Sequence, residues 1–244
     1  MMRQYGLIGF PLVHSFSQKY FSEKFLRSNI NDAEFLNFSL PKIEDVENVF
    51  KNHPHLQGLA VTIPYKKSIT QYLDEVDNIV KKISACNCIK ITKERRIGFN
   101  TDITGFEKSF IKNLKPEHKK ALVLGTGGAA VAVEFVLNKL GIDYLLVSRR
   151  APGTAISYSD INAEILSAYT IIINCTPAGT FPKIDEAPAL PYNLLSKKNY
   201  LFDLVYNPPL TRFLQNGKEA GCTIQNGYEM LVIQAEENWR IWND

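Results

Sequence analysis

Little in this chain points to a covalent staple, a metal or a membrane. Four cysteines in 244 residues give no disulfide framework at this length. Cys86-x-Cys88 is one residue short of the C-x-x-C of zinc and redox sites. On a strand the two would share a face, so they read as small buried apolar residues. The four histidines do not join the cysteines at metal-ligand spacing, and His53-x-His55 stands alone beside Pro54, so no metal is expected. No segment reaches the roughly 18 uninterrupted apolar residues of a membrane helix. The apolar run from Tyr5 to Val13 follows Arg3 but lacks a small-residue cleavage site. A buried first strand is the better reading, with the cytoplasm as the expected compartment and no membrane partner. The net charge of +3 is small, and the basic residues form no stripe interleaved with aromatics, which argues against nucleic acid. With 45% apolar and 22% charged residues, a globular core can form without metal or crosslink.

The apolar pattern predicts strands over Arg3 to Gly9, Ala33 to Leu40 and Gly58 to Thr62. It predicts helices over Ser17 to Ile30, with Ser17 as N-cap, and over Lys42 to Asn52. Helical signals run from Lys66 to Ile83. Cys86 to Thr92 and Arg95 to Phe99 form a hairpin around Lys93-Glu94. A helix from Asp102 to about Asn113 and the polar loop Lys115 to Lys120 lead into a second alternating series. Its strands are Ala121 to Leu124, Tyr144 to Ser148, Tyr169 to Asn174, Tyr200 to Val205 and Cys222 to Ile224; its helices are Gly127 to Leu140, Leu210 to Ala220 and Gly227 to Trp242. The alternation predicts an α/β fold, with a boundary near Asp102.

The second series opens on a strand, a glycine turn and a helix. Gly125, Gly127 and Ala130 fit G-x-G-x-x-A. The first glycine permits the turn, the second lets the backbone approach a pyrophosphate, and the small third residue lets helix pack on strand. Gly128 and Ala129 stand in the first helical turn, whose free N–H groups attract phosphate. An NAD site places an acid about 20 residues on. Here the next strand ends in Ser148-Arg149-Arg150, and a guanidinium fork suits a 2′-phosphate that an acid would repel. NADP is the expected cofactor.

Four segments place polar residues where strands end: Gly9 to Ser17, Gly58 to Lys67, Ser84 to Ile89 and Gly98 to Gly105. In order and spacing they resemble the shikimate dehydrogenase family, with its G-x-P-x-x-H-S-x-S, G-x-N-V-T-x-P-x-K, G-A-x-N-T and G-x-N-T-D-x-x-G segments. The glycine turn follows, then Ile173 to Gly179, Asp203 to Leu214 and Asn226 to Ala235, so the resemblance spans nearly the whole chain. It implies an N-terminal α/β substrate domain over residues 1–101, completed by a C-terminal helix over 228–244. A Rossmann-like NADP domain would occupy 102–227, with the active site in the cleft between them.

It implies Lys66 and Asp102 as the catalytic pair, and Ser15 and Ser17 on the substrate carboxylate. Thr62, Asn87 and Gln234 would bond the ring hydroxyls, with Tyr206 near carboxylate and nicotinamide. Thr176 would line the cofactor channel, Gly227 would lie against the nicotinamide, and Arg149 would hold the 2′-phosphate, with Ser148 and Arg150 beside it. The implied reaction is the NADPH-dependent reduction of 3-dehydroshikimate to shikimate by a monomer or homodimer.

The chemistry is consistent with these residue types. Hydride addition to a ketone develops negative charge on oxygen, and an adjacent lysine can donate a proton to it or only polarise it. Taken singly, Asp102 reads equally well as the N-cap of its helix. The chain departs from the family pattern at Gln18 for proline, Ala60 for asparagine, Ser84 for glycine and Cys88 for threonine. Ser148-Arg149-Arg150 stands for asparagine-arginine-threonine. A quinate/shikimate dehydrogenase using NAD or NADP, and a non-catalytic metabolite sensor, are the alternatives.

Overall fold

The first apolar run becomes the strand β1 (Arg3–Gly9), whose last five residues are buried. It is the second strand of a six-stranded sheet, and the computed structural model describes residues 1–12, 16–150 and 153–244 of the chain. In chain order the remaining strands of this sheet are β2 (Ala33–Ser39), β3 (Leu56–Val61), β4 (Glu75–Val76), β5 (Cys88–Ile91) and β6 (Arg96–Phe99). Their spatial order is β2-β1-β3-β5-β6-β4. β1, β2 and β3 run parallel, whereas β5 is antiparallel to both β3 and β6.

Helix α1 (Phe16–Arg27) follows β1. It starts one residue earlier than expected, so Ser17 lies inside its first turn rather than capping it. It also stops short of Ile30: Asn29 takes a left-handed φ of 52°, and the Ile30 N–H reaches back to the Phe25 carbonyl at 2.9 Å. This is the geometry that ends a helix where an asparagine can adopt positive φ. The expected Lys42 helix is a 3₁₀ turn followed by α2 (Val46–Asn52). The expected helix over 66–83 divides into a 3₁₀ turn at Ser68–Tyr72, strand β4 and α3 (Asn78–Ile83). Asp77 caps α3, accepting the Val80 N–H at 2.7 Å.

Two apolar clusters hold this sheet. One joins Ile8, Leu59 and Val61 to Val46 and Val49 of α2, and includes Cys86. The other joins Tyr5, Leu7 and Cys88 to Phe21 and Phe25 of α1 and to Trp242. Cys86 and Cys88 therefore do not share a face: Cys86 precedes β5, outside the alternation that a strand would impose, and packs into the opposite cluster. Trp239 and Trp242, with ring centroids 5.1 and 5.2 Å from that of Tyr5, lie on the closing helix α8 (Tyr228–Asn243).

The second sheet contains β7 (Lys120–Leu124), β8 (Asp143–Val147), β9 (Ile171–Asn174), β10 (Tyr200–Asp203) and β11 (Thr223–Gln225). All are parallel, in the order β11-β10-β9-β7-β8. The order reverses between β7 and β9, as in a doubly wound, Rossmann-like fold. Helices α4 (Asp102–Phe110), α5 (Gly128–Lys139), α6 (Ala163–Ala168) and α7 (Arg212–Glu219) belong to this half of the chain.

Compact units comprise residues 1–104 with 234–244, and residues 105–233. Helices α4 and α8 thus contribute residues to both.

Candidate active site and nucleotide site

In the first unit, strand pairing brings distant polar residues to one end of the sheet. Thr62 follows β3 and donates its N–H to the Ile8 carbonyl at 2.9 Å. Asn87 accepts the Val61 N–H at 2.9 Å and donates its own to the Phe99 carbonyl at 3.1 Å, which places Thr101 and Asp102 next in line. The Lys66 carbonyl accepts the Cys86 N–H at 2.7 Å, anchoring the turn after β3. As a result Lys66 Nζ donates to Asp102 Oδ2 at 2.7 Å, across 36 residues of sequence. The side chains keep 21% and 7% of their exposure respectively, so the carboxylate is dry and the ammonium still reaches solvent.

Asp102 is the first residue of α4, not its cap. The Ile103 N–H turns to the Asn100 side chain at 3.3 Å instead. Asn87 is 4% exposed. Its amide takes the Thr101 N–H at 2.6 Å and donates to Thr101 Oγ1 at 3.1 Å. The Thr101 hydroxyl donates onward to Asn238 Oδ1 at 2.8 Å. Asn238, 5% exposed, was not anticipated from sequence, where it is one polar residue on an amphipathic helix.

Ser17 is half-buried in the first turn of α1, the helix that follows β1 in the chain. Helix α8 runs back along β1: Asn243 accepts from Arg3 at the start of the strand (2.9 Å), whereas Asn238 bonds Thr101 at the far end. Half-buried Gln234, one turn before Asn238, lies toward that same end. Ser15 falls outside the described residues.

In the second unit, Gly125 leaves β7 with φ +98°, a conformation costly for any side chain. A Cβ there would also stand 2.9 Å from Thr176 Cγ2, just after β9. Gly125 and Thr176 therefore face each other across β7 and β9, the point where strand order reverses and α/β sheets hold their ligands. Gly127 precedes α5 in extended conformation, and a Cβ on Gly127 or Gly128 would meet nothing within 4 Å. That open space above free helix N–H groups suits a pyrophosphate. Half-buried Ala129 and fully buried Ala130 follow, with Ala130 seating the helix on the sheet.

A cavity of about 510 Å³ opens from this turn. Gly125, Gly127, Ser148, Arg149 and Thr176 line it; Arg150, equally exposed, does not. Tyr158 and Glu186 also line it and were not expected. The signal for Tyr158 is tertiary: Ile156, two residues before it, bridges Val147 beside β8. Burial raises the Tyr158 phenol, opposed by the nearby Arg149 guanidinium. Half-buried Tyr206 follows β10, and burial raises its phenol too, so it stays a neutral donor. Gly227 is buried where a Cβ would collide with the Leu204 carbonyl.

Among the described residues no group of three His, Cys, Asp or Glu could hold a metal, and no helix is long and apolar enough to cross a membrane.

A family profile for the shikimate dehydrogenase substrate binding domain matches residues 7–89. The shikimate dehydrogenase (NADP(+)) of Caldicellulosiruptor saccharolyticus is 34% identical over 260 aligned positions, covering 100% of this chain and 93% of its own. A solved chorismate mutase/shikimate 5-dehydrogenase fusion from Clostridium acetobutylicum superposes with a TM-score of 0.87 at 35% identity, covering 100% of this chain and 92% of the other. The Thermus thermophilus shikimate 5-dehydrogenase, solved in complex with NADP(H) and shikimate, gives 0.86 at 28% identity, covering 99% and 93%.

Proposed function

Because this chain belongs to the shikimate dehydrogenase family, we propose that it catalyses the reversible NADPH-dependent reduction of 3-dehydroshikimate to shikimate. The observation that carries the reading is the Lys66–Asp102 bond of 2.7 Å at the sheet end where Thr62 and Asn87 stand. Bound NADPH supplies the hydride. Lys66 presents an ammonium to the ketone oxygen, where negative charge develops, and either hands over a proton or holds the charge by hydrogen bonding. Asp102 orients that ammonium. It also offers a carboxylate to a ring hydroxyl.

Ser15 and Ser17 provide hydroxyl donors for the substrate carboxylate. Thr62, Asn87 and Gln234 provide a mixed donor and acceptor set for ring hydroxyls, and Tyr206 adds a phenol donor. Gly125, Gly127, Gly128 and Ala129 form the pyrophosphate turn, Gly227 keeps the nicotinamide side free of a side chain, and Thr176 lines the channel. Ser148 and Arg149 take the 2′-phosphate, with Arg150 contributing charge from outside the cavity lining.

The test is an assay of the purified protein with shikimate and quinate, each with NADP and NAD. Turnover of shikimate with NADP is expected to dominate. Preference for quinate or NAD would transfer the chain to the quinate/shikimate alternative, and no turnover of any pair would overturn the enzymatic reading.

A further inference from the structure

Beneath the nucleotide cavity lies a polar chain that none of the roles above uses. β9 and β10 pair in parallel so that Asn174 stands opposite Asp203, and both are fully buried. Three groups donate to this carboxylate. Asn174 Nδ2 and the Val205 N–H reach Oδ1 at 2.9 and 3.0 Å, and the Thr211 hydroxyl reaches Oδ2 at 2.5 Å. The other end of the Asn174 amide accepts twice from Thr176, from its N–H at 3.0 Å and its hydroxyl at 2.6 Å. Thr176 Oγ1 in turn accepts the Ala178 N–H at 3.3 Å.

These bonds have a direction. An ionised carboxylate only accepts, so Asn174 must turn its NH₂ toward Asp203 and its oxygen toward Thr176. The Thr176 hydroxyl must then spend its one proton on Asn174. What remains is a lone pair, on a side chain that lines the cavity. The same carboxylate fixes the Val205 N–H, while the Val205 carbonyl accepts the Gly227 N–H at 3.2 Å. One buried acid therefore holds both segment 175–178, which lines the cavity, and segment 204–206.

We propose that Asp203, acting through Asn174, is a positioning residue that makes Thr176 an obligate hydrogen-bond acceptor toward a hydroxyl or amide donor of the bound dinucleotide. This rests on the NADPH reading above. Asp203 touches no ligand itself. Its effect belongs to cofactor binding and leaves the shikimate contacts of the first unit unchanged.

The test is calorimetric titration of NADPH into wild-type, Asp203→Ala and Asp203→Asn protein, with thermal melts and the KM for shikimate measured alongside. Asp203→Ala should weaken NADPH binding by roughly 3–10-fold, the loss of about one hydrogen bond between neutral groups. The KM for shikimate should rise by a smaller factor than the NADPH affinity falls, because of the substrate contacts only Tyr206 stands on a segment that Asp203 holds. Asp203→Asn should recover most of the affinity, because its amide oxygen still accepts from Asn174 and Val205 while its NH₂ can donate to a reoriented Thr211 hydroxyl. Wild-type affinity in Asp203→Ala, or equal weakness in both variants, would overturn the inference. Should Asp203→Ala fail to fold, Asn174→Ser decides. It breaks the link to Thr176 but leaves the Val205 and Thr211 bonds, and it should weaken NADPH by a similar factor; unchanged binding would refute the polarity argument. A wild-type protein that binds no NADPH overturns the premise instead, and the inference with it.

Discussion

Replacing Lys66 by alanine is expected to do two separable things. In catalysis it removes the group that meets charge on the ketone oxygen, and kcat should fall by about 10²–10⁴, the range for a positioned acid–base group. This corresponds to about 3–5 kcal/mol of lost transition-state stabilisation. KM for shikimate should move far less, because the hydroxyl and amide contacts of the ground state remain. In stability, the change strands the Asp102 carboxylate at 7% exposure. Breaking a fully buried pair from one side costs about 3–5 kcal/mol and an exposed pair about 0–1, and Lys66 at 21% exposure lies between, so about 1–3 kcal/mol is expected. At this chain length that lowers Tm by roughly 2–12 °C.

Asp102→Asn reverses the balance. The ammonium left behind reaches water, the amide oxygen still accepts from it, and the helix start is served by Asn100. Stability should change by less than about 1 kcal/mol, while kcat falls at least about tenfold because the amine loses its orienting charge. Steady-state kinetics and a thermal melt on each variant read both quantities. Full kcat in Lys66→Ala would sink the mechanism, and full kcat with an early melt in Asp102→Asn would reduce Asp102 to a structural residue.

Arg149→Ala should raise KM for NADP by about 10–100-fold with kcat nearly unchanged, since a phosphate contact remote from the reacting carbon is the same in ground and transition states; unchanged NADP affinity would send the 2′-phosphate elsewhere. Ser17→Ala should raise the Kd for shikimate by the equivalent of about 1–3 kcal/mol without abolishing turnover, and wild-type affinity would move the carboxylate to another part of the site. Burial lifts the Asp203 carboxyl from 3.8 to about 6, above its unfolded value of about 3.9. A group raised on folding supports stability below its unfolded pKa and loses that support as pH climbs through the folded one. Wild-type protein should therefore lose on the order of 3 kcal/mol from this residue between about pH 4 and 7. Asp203→Asn does not titrate, so the Tm of wild type relative to Asp203→Asn should be higher at pH 4 than at pH 7; a gap independent of pH would show that the carboxyl is not raised.

Legibility in the sequence followed the range of the interaction. The glycine turn at Gly125–Gly127 could be read because fingerprint, strand and helix are contiguous, and the apolar runs of β7, β9 and β10 are long enough to stand out. Lys66 and Asp102 are legible only through the resemblance, since alone Lys66 reads as an exposed helix start and Asp102 as an N-cap, and strand pairing is what joins them. The helix Ala163–Ala168 and the strand Glu75–Val76 escaped notice because six and two residues cannot display a period. Asn174, Asp203 and Asn238 were hidden for another reason. A polar residue at a strand end or on a helix looks solvent-facing until its partner is brought across by sheet register or by the closing helix. The cap assigned to Asp102 went to Asn100, two residues earlier, a shift within the usual uncertainty of helix starts.

The placement of the cysteines has a consequence for experiment. Cys86 and Cys88 belong to the first unit, Cys175 and Cys222 to the second. Burial raises all four thiols, Cys86 to about 12 and Cys222 to about 11. At neutral pH each is held in the protonated form that alkylating reagents attack slowly. For the fully buried Cys86 and Cys88 modification must also wait for local opening, so the rate at which they are labelled clocks the breathing of the first unit. Mass spectrometry of labelled peptides would time that half of the molecule without an engineered probe, and would report whether it tightens when shikimate is added.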